Sequence, residues 1–449
     1  MSDIGFVRTE MLPEQDPPAS EVGIIGWMRH NLFDGWFNSA LTLLSIYFVY
    51  KVLAALVPWI LSPTWDAGSL AECREVLGAL GREGHYAGAC WGVINERWIQ
   101  LIFGFYPAEL YWRPIAAFVL LGVALAPVLF SDKVPSKLLI FTILYPFIFP
   151  WLLWGGTIWG PISVVLGFVV GWLVYSAVDK AVSNLALVYS AVDKAVSNLV
   201  GIIAGAVAAL IWWLILSGYF VGAMDSIAAI GIEPVESRKF GGFMLSITIG
   251  VVAIACSLPL GIVLALGRQS DLMIVKYLSV GFIEFIRGVP LITLLFVAST
   301  LLNIFMPPGT DFDIILRVLI MVTLFASAYM AEVIRGGLAA LPRGQYEGAD
   351  SLGLNYWQSQ RLIIMPQALK ISIPGIVSTF IGVFKDTTLV SIIGLLDPLG
   401  LSNAIRADAN WNGIVWELYG FIALLFFVFC FSMSRYSMYL ERKLHTGHR

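Results

Sequence analysis

Ten long apolar runs constrain this chain more than any other feature of its sequence. A helix needs about 20 apolar residues to cross a lipid bilayer. The runs lie at 37–62, 114–131, 138–155, 157–178, 199–221, 242–266, 288–306, 313–334, 372–396 and 416–438. Charged residues make up only 13% of the 449 residues, whereas soluble domains contain about 25%. Because backbone polar groups in a bilayer must be paired within the spanning segment, we predict an all-α, polytopic membrane protein with about ten transmembrane helices.

Lysine and arginine in the short connections predict how the chain is oriented. Cytoplasmic loops of membrane proteins carry an excess of these residues. With ten spans, one side receives both termini and the loops that contain Lys133, Lys137, Lys180, Lys194, Arg268, Lys276, Arg335, Arg343, Arg361 and Lys370. The opposite side carries Arg74, Arg82, Arg97, Arg113, Arg238 and Lys239. The bias is incomplete, and it favours both termini in the cytoplasm.

The first half of the chain divides into a polar tail and a block of apolar runs. Residues 1–35 contain three prolines and lack the apolar core of a cleavable signal peptide, so we expect a flexible cytoplasmic tail. Residues 36–222 would form a transmembrane extension with an extracytoplasmic loop at 63–113. Cys73 and Cys90 share this loop. They could form a disulfide in an oxidising compartment, although spacing alone does not show the pairing.

A thirteen-residue sequence, LVYSAVDKAVSNL, occurs twice, at 173–185 and at 187–199. The period of 14 residues corresponds to nearly four helical turns. A duplication of this length would extend a helix and rotate its downstream part by about 40 degrees. One interpretation is a tandem duplication in a tolerant cytoplasmic connection, and the alternative is a functional role for the repeat.

Several classes of function lack support in the residues. The net charge is −3, which provides no electrostatic attraction for nucleic acid. The four histidines do not cluster with cysteines at the spacing of metal ligands. The chain also lacks the G-x-x-x-x-G-K-[ST] phosphate-binding loop of ATPases. We therefore expect no metal, no cofactor bound by this chain and no nucleic-acid partner.

The connection between the eighth and ninth runs is rich in residues that bend or end helices. It extends from Arg335 to about Lys370 and contains five glycines and two prolines. Gly353 lies between two helix-compatible stretches and predicts a bend, and Pro366 predicts the end of the second short helix before the next span. Two helices joined by a glycine turn on a cytoplasmic face suit docking of a soluble partner. A structured loop without a partner is the alternative.

This connection resembles the EAA motif in permease subunits of ATP-binding-cassette (ABC) importers. The family pattern is E-A-A, three residues, G, nine residues and I-x-L-P. Here the pattern reads Glu347-Gly348-Ala349, Gly353 and Ile363-Ile364-Met365-Pro366. Glycine replaces the usual second residue, which weakens a helix by up to about 1 kcal/mol relative to alanine. Methionine replaces the usual leucine at nearly equal volume.

More of the chain resembles the polar amino-acid subfamily of these permeases. The segments GFIEFIRGVP, FASAYMAEVIRGG, PRGQYE and FKDTT, which carry the resemblance, lie at 281–290, 325–337, 342–347 and 384–388. The upstream segment 90–114 is similar to the longer membrane subunit of general L-amino-acid importers. The resemblance implies a C-terminal permease domain at 241–440, with the five-helix type I importer fold and a coupling loop at 335–370.

The resemblance also implies partners and a mechanism. The partners are a cytoplasmic ABC ATPase dimer, a second homologous permease subunit, a periplasmic amino-acid-binding protein, the L-amino-acid substrate and the lipid bilayer of a bacterial inner membrane. ATP and magnesium would bind to the ATPase, so that the permease itself is not an enzyme. The residues that would couple to the ATPase are Glu347, Gly348, Ala349, Gly353, Ile363 and Pro366.

Charged residues within the ninth run are candidates for a translocation path or gate. Lys385 and Asp386, followed by Thr387, lie near the middle of this run. Each charge costs about 2.5–3.5 kcal/mol in a bilayer unless it is paired or hydrated. Adjacent residues of a helix do not face each other, so their partners would lie elsewhere, with Glu332 or Arg335 as candidates. Path lining and a structural ion pair are alternative interpretations.

A second charged group precedes the seventh run. Glu284 and Arg287 lie three residues apart, a spacing at which two side chains can pair on a helix. They form either an interfacial ion pair at a helix start or part of a gate, for which Glu332 is a further candidate. An amino-acid transporter driven by an ion gradient would also use intramembrane charge, but this alternative does not explain the glycine-bent cytoplasmic connection.

Overall fold

The structure is a computed structural model, and it describes residues 23–82, 84, 87–185, 191–305 and 312–445. Most of the predicted cytoplasmic tail lies outside these residues. The helices, in chain order, are α1 (Gly23–Leu32), α2 (Gly35–Ile60), α3 (Leu70–Ala79), α4 (Gly92–Phe103), α5 (Trp112–Leu129), α6 (Leu139–Trp154), α7 (Trp159–Leu185), α8 (Ala191–Ile211), α9 (Ser217–Ile227), α10 (Gly242–Gln269), α11 (Met273–Gly288), α12 (Leu291–Phe305), α13 (Ile314–Ala339), α14 (Arg343–Ser351), α15 (Tyr356–Ser359), α16 (Met365–Asp386), α17 (Pro398–Arg406) and α18 (Trp416–His445).

Shorter elements connect or extend these helices. Single 3₁₀ turns lie at Ala108–Leu110, Ser136–Leu138 and Ser237–Lys239, and a longer 3₁₀ segment, Thr387–Ile393, continues α16. Two π-helical segments, Trp212–Leu216 and Gln360–Ile364, join α8 to α9 and α15 to α16. The strands β1 (Gly156–Thr157) and β2 (Gly231–Ile232) pair in antiparallel fashion.

The described residues contain nine helical segments that are long and apolar enough to cross a membrane, and a bent pair raises the number to ten if it crosses as one span. The predicted all-α polytopic class is therefore confirmed. The run predicted at 288–306 forms α12, whose 15 residues are fewer than the roughly 20 that a span needs. It counts as a candidate span only together with α11, from which it is bent by 100°. Pro290 follows Val289, whose backbone is extended, and a residue before proline is disfavoured in the α conformation.

The chain divides into two compact units, residues 1–95 and 96–449. Within the first unit, the segment after α2 folds around a disulfide between Cys73 and Cys90, with a Cα–Cα distance of 5.8 Å. Both cysteines are buried. The ring of Trp91 stacks on Trp65. The pairing that the sequence left open is therefore made.

Helices α10 and α13 form the centre of the second unit, and α16 packs against both. Glycines permit the close approach, since a Cβ atom at Gly261 would lie 2.7 Å from the side chain of Met330. Likewise, a Cβ atom at Gly250 would lie 2.8 Å from the ring of Phe384. Small residues at helix contacts are typical of membrane proteins, in which packing rather than water exclusion drives association.

Contacts between connections define one end of the second unit, which we name the strand end. It contains the β1–β2 pair, the parallel bridge between Gly241 and Leu396, and an ion pair between Arg97 and Asp408 at 2.8 Å. Helix α10 starts at this end. It covers 28 residues, or about 42 Å at 1.5 Å per residue, which is enough to cross the bilayer.

A buried arginine at the strand end offsets the negative partial charge at the C-terminal end of a helix. Arg113 is fully buried, and its guanidinium donates hydrogen bonds to the carbonyl oxygens of Leu152 (2.8 Å) and Glu233 (2.7 Å). Leu152 lies in the last turn of α6, where unpaired carbonyl groups carry the negative end of the helix dipole. Arg113 therefore stabilises α6 and joins it to the segment before α10.

The two copies of the repeated sequence do not extend one helix. Helix α7 ends at Leu185, the last residue of the first copy, and α8 begins at Ala191 within the second copy. The residues that join them, 186–190, lie outside the described residues. The expected continuous helix is therefore wrong, and the two copies belong to two helices that pack on each other. The next apolar segment is again long and apolar enough to cross the membrane.

Asp397 provides a test of the packing at the strand end. Its side chain is fully buried and accepts hydrogen bonds from the backbone N–H groups of Leu399 and Gly400 at the start of α17. Burial raises the pKa of Asp397 from 3.8 to about 6. The folded protein therefore favours the neutral carboxyl group, and this contribution to stability is complete below pH 3.8 and is lost as the pH rises through about 6.

We predict that Asp397→Asn, which keeps a capping oxygen, gains thermal stability relative to the natural protein as the pH is raised from 4 to 7. The measurement is the melting temperature of the purified protein across this range. An Asp397→Ala variant should be about 1 kcal/mol less stable than the Asn variant at every pH, because neither residue titrates and alanine removes the cap. A difference between the Asn variant and the natural protein that does not vary with pH would contradict the assignment.

Candidate coupling and gating sites

The coupling segment, residues 343–364, consists of two short helices joined by a glycine turn. Helix α14 ends with two hydrogen bonds, from Gly353 N to Asp350 O (2.9 Å) and from Leu354 N to Ala349 O (3.3 Å). This pair of bonds defines a Schellman cap, which needs a left-handed residue at the position of Gly353. Gly353 has a φ of +69°, so the bend predicted at this glycine is confirmed.

The residues of the EAA motif divide into exposed and buried positions. Glu347, Gly348 and Pro366 are exposed, as is Gly353 at the turn. Ala349 is fully buried in the chain itself, so it anchors α14 and does not present its side chain to a partner. Ile363 is partly buried in the core that joins the coupling segment to the membrane helices. The motif therefore combines exposed positions with buried positions that hold them in place.

The second half of the coupling segment is continuous with a membrane helix. Helix α15 passes through the π-helical segment Gln360–Ile364 into α16. The expected helix end at Pro366 is therefore wrong. Proline is tolerated in the first turn of a helix, where its missing N–H group would be unpaired, and Pro366 occupies such a position in α16. The coupling segment is in this way an extension of a membrane-spanning helix.

Tight packing connects α16 to α13 beside the coupling segment. The fully buried residues Ile364 and Ala368 belong to one apolar core with Met330 and Ile334 of α13. A Cβ atom at Gly337 would lie 2.5 Å from the carbonyl oxygen of Ala368, so the helix backbones approach closely here. A displacement of α15 would therefore move α13 as well, because close-packed interiors transmit shifts rather than absorb them.

An ion-pair cluster lies at the end of these helices that is opposite to the strand end. The carboxylate of Glu332 contacts Arg268 (2.7 Å), Arg335 (3.1 Å) and Arg287 (3.7 Å). Arg268 also pairs with Glu284 at 2.9 Å. The predicted local pair of Glu284 with Arg287 is therefore not formed, because each residue pairs with a neighbouring helix. One half-buried carboxylate thus joins three helices, α10, α11 and α13.

The comparisons with known proteins agree with this architecture. Residues 257–446 match the family described as the binding-protein-dependent transport system inner membrane component. A glutamate/glutamine/aspartate/asparagine transport system permease protein, BztC of Rhodobacter capsulatus, is 57% identical over 451 residues and the alignment covers 100% of both chains. The inner membrane amino-acid ABC transporter permease protein YhdY of Escherichia coli is 39% identical over 94% of this chain and 93% of its own.

This chain belongs to the amino-acid ABC transporter permease family. A relative that matches only the C-terminal half, the probable glutamine permease GlnM of Bacillus subtilis, is 30% identical over 47% of this chain and 95% of its own. This permease therefore carries an N-terminal region that such shorter relatives do not match. The family membership predicted from the EAA motif is confirmed.

The charged pair of the ninth run lies far from the ion-pair cluster. Lys385 and Asp386 end α16, and the neighbouring Phe384 packs against Phe243 at the start of α10. They therefore lie toward the strand end and not near the middle of the span. Glu332, at the other end of the permease, pairs with arginines, so the expectation that it or Arg335 balances this charged pair is wrong.

The surroundings of the charged pair are partly open. Lys385 is exposed and Asp386 is half-buried, and neither forms a salt bridge to another side chain among the residues that the structure describes. Thr387 is fully buried, and its hydroxyl group donates to the carbonyl oxygen of Phe384. Thr387 therefore stabilises the end of α16, while the two charged groups remain available to an external group.

Two features of the site are not evident from the sequence. Arg268 bridges Glu332 and Glu284, but in the sequence it indicates only the cytoplasmic side of the membrane. Trp357 is 70% exposed on α15, but in the sequence it is only one residue of a helix-compatible stretch. The sequence signal for Arg268 is its position at the end of a spanning helix, where a basic side chain can pair with carboxylates of neighbouring helices as well as mark the cytoplasmic side. An exposed tryptophan beside an EAA motif is the signal for Trp357.

The turn at Gly353 yields a prediction with a matched control. A β-branched residue in the left-handed conformation costs about 1–2 kcal/mol, so Gly353→Val should distort the coupling segment. Asparagine tolerates this conformation, and a Cβ atom here would meet no other atom within 4 Å, so Gly353→Asn should behave like the natural protein. The measurement is the amount of ATPase that co-purifies with each variant at equal membrane abundance. Equal co-purification with both variants would exclude the turn from the docking site.

A second prediction concerns the ion-pair cluster. Glu332→Gln removes the negative charge that three arginines share, and hydrogen bonds to charged groups contribute about 1.5–3 kcal/mol each. We expect a lower melting temperature and a higher ATPase rate without substrate, because one end of the helix bundle loosens. Glu284→Gln is the control, since Glu284 is more exposed and makes one salt bridge, which contributes about 1 kcal/mol or less. Equal effects of the two variants would mean that Glu332 has no central role.

Proposed function

We propose that this chain forms half of the transmembrane pathway of an amino-acid importer and that a separate ATPase dimer drives it through the coupling segment. The observation that carries the proposal is the direct packing of the coupling segment on the spanning helices α13 and α16 through Ile364 and Ala368. ATP hydrolysis belongs to the partner, and this chain provides the helices that move. A second homologous permease and a periplasmic binding protein complete the proposed assembly.

The exposed side of the coupling segment has the composition of a docking surface. Leu352, Tyr356 and Trp357 are 74%, 53% and 70% exposed and lie on both sides of the glycine turn. Large apolar and aromatic side chains in water favour burial in a partner. Glu347 adds a charged group beside them. We propose that these residues enter a cleft of the ATPase and that Gly353 sets the angle between the two halves of the surface.

The disulfide supports a cytoplasmic position for this docking surface. Disulfides persist in oxidising compartments such as the periplasm, which favours a periplasmic position for the segment that contains Cys73 and Cys90. Seven candidate spans lie between that segment and the coupling segment if the bent pair of α11 and α12 crosses as one. An odd number of crossings leads to the cytoplasm. We therefore propose that both termini are cytoplasmic and that the bent pair is a complete crossing.

The charged groups of the chain suit a substrate with an acidic or amide side chain. BztC, a relative, is described as a glutamate/glutamine/aspartate/asparagine permease, and we propose the same class of substrates here. Lys385 and Asp386 would contact the carboxylate and ammonium groups of the amino acid near the periplasmic side. The cluster around Glu332 contains three arginines and two glutamates, and its excess positive charge would assist the exit of an anionic side chain.

The experiment is uptake of labelled glutamate and aspartate into vesicles that contain the complete complex. We expect uptake to stop when internal ATP is depleted and to continue when an uncoupler removes the ion gradients. The reverse result would favour a transporter driven by an ion gradient.

Lys385→Met should reduce uptake at least about tenfold, as expected for the loss of one charged contact. Lys51→Met is the control, because Lys51 is also exposed but lies on α2, outside the permease domain. Equal uptake by the two variants would remove Lys385 from the path.

A further inference from the structure

Helices α7 and α8 form a hairpin that makes its closest approach at two glycines. A Cβ atom at Gly205 would lie 2.6 Å from the carbonyl oxygen of Gly171, and one at Gly171 would lie 3.0 Å from that of Gly205. Each glycine belongs to a G-x-x-x-G sequence, with Gly167 in α7 and Gly201 in α8. This pattern permits close packing of membrane helices. The hairpin lies outside the segment that matches the permease family, and the transport mechanism does not use it.

A groove opens on this hairpin toward the strand end. It has a volume of about 560 Å³, within the range of about 300–1,000 Å³ that is usual for sites of small ligands. Its lining includes Gly160, Val164 and Phe168 from α7, and Trp213, Gly218 and Val221 from the following span. Among the described residues, no charged side chain lines it. A second groove of about 320 Å³ shares Phe168 and continues along the same two helices to Tyr175.

A buried hydroxyl group at this groove has no partner. Ser163 lines the groove and is 1% exposed, and its Oγ atom makes no hydrogen bond to any residue that the structure describes. The indole N–H groups of Trp212 and Trp213 donate to the backbone carbonyl oxygens beside it, Ser163 O (2.9 Å) and Val164 O (3.1 Å). A buried polar group without a partner costs about 1–3 kcal/mol, so a rotation of the Ser163 side chain toward the groove would be favoured when a ligand atom there accepts its hydrogen bond.

The position of the groove identifies the chemistry of its occupant. Ser163 lies one helical turn inside Trp159, at the first residue of α7, and tryptophan marks the interface between lipid and water. From Gly160 to Tyr175 the two grooves extend about 22 Å at 1.5 Å per residue, longer than half of the roughly 30 Å hydrocarbon layer. An acyl chain fits this apolar length. Its ester group lies near the interface and offers a free carbonyl oxygen, whereas a partner helix uses its carbonyl groups internally.

We propose that this groove binds one phospholipid of the leaflet nearest to the strand end. One acyl chain lies along Phe168, and its ester carbonyl accepts a hydrogen bond from the Ser163 hydroxyl group. The headgroup remains outside, since the described lining of the groove carries no charge. The bound lipid would fill the groove beside α7 and would fix the hairpin against the bilayer.

The experiment measures the phospholipid that remains with the purified complex. Gly218→Leu should fill the groove, and the protein should tolerate it because a Cβ atom at Gly218 meets no other atom within 4 Å. Gly222→Leu is the matched control, one turn along the same helix, with equally free space and no part in the groove. After detergent purification and delipidation in steps, mass spectrometry of the intact complex should count one phospholipid fewer per chain for Gly218→Leu than for Gly222→Leu.

The role of the hydroxyl group is tested separately. Ser163→Ala should weaken retention of added phosphatidylethanolamine by roughly three- to tenfold, the effect of one hydrogen bond. Equal lipid counts for the two leucine variants, or a photoreactive residue at Val164 that attaches to the second permease and not to lipid, would overturn the proposal. These outcomes do not depend on uptake, so that failure of the lipid site and failure of the proposed transport function can be distinguished.

Discussion

The packing of Ile364 and Ala368 on α13 is the interaction on which the proposed coupling to an ATPase depends. It joins a surface that is exposed to water with a helix that crosses the bilayer. No flexible linker separates α15 from α16, because a π-helical segment continues the helix and places Pro366 in the first turn of the next. A force on the exposed aromatic residues would therefore reach the spanning helices as a rigid-body displacement, and not as the reordering of a loop.

The charged residues lie where such a displacement would have consequences. The cluster around Glu332 holds α10, α11 and α13 together beside the coupling segment, and Lys385 and Asp386 lie toward the opposite end of the same bundle. One group of charges is satisfied within the chain, and the other is open to an external group. This difference in pairing suits a bundle with one closed end and one open end. The ion pairs of the closed end would separate during transport, and the charged groups of the open end would receive a zwitterion.

The sequence predicted the features that depend on local chemistry. Apolar length identified the spans, and the glycine at 353 identified the turn, because both follow from the solvent and from the backbone. The pairing of Arg268 with Glu332 could not be predicted, since the two residues are 64 positions apart and meet only when α10 packs on α13. Pro366 misled for a related reason: a proline ends one helix or begins another, and only the course of the preceding turn decides which. Cys73 and Cys90 left their pairing open until the fold brought them together.

The side of the membrane on which the coupling segment lies tests the account most directly. In a protein whose Cys256 and Cys430 are replaced by alanine, Leu352→Cys places one free thiol on the exposed surface, while Cys73 and Cys90 remain paired. A membrane-impermeant maleimide should label this thiol in inverted vesicles from cells that produce the permease without its ATPase, and should leave it unlabelled in intact spheroplasts of the same cells. Labelling in spheroplasts, with none in inverted vesicles, would place the segment in the periplasm, where no ATPase could reach it.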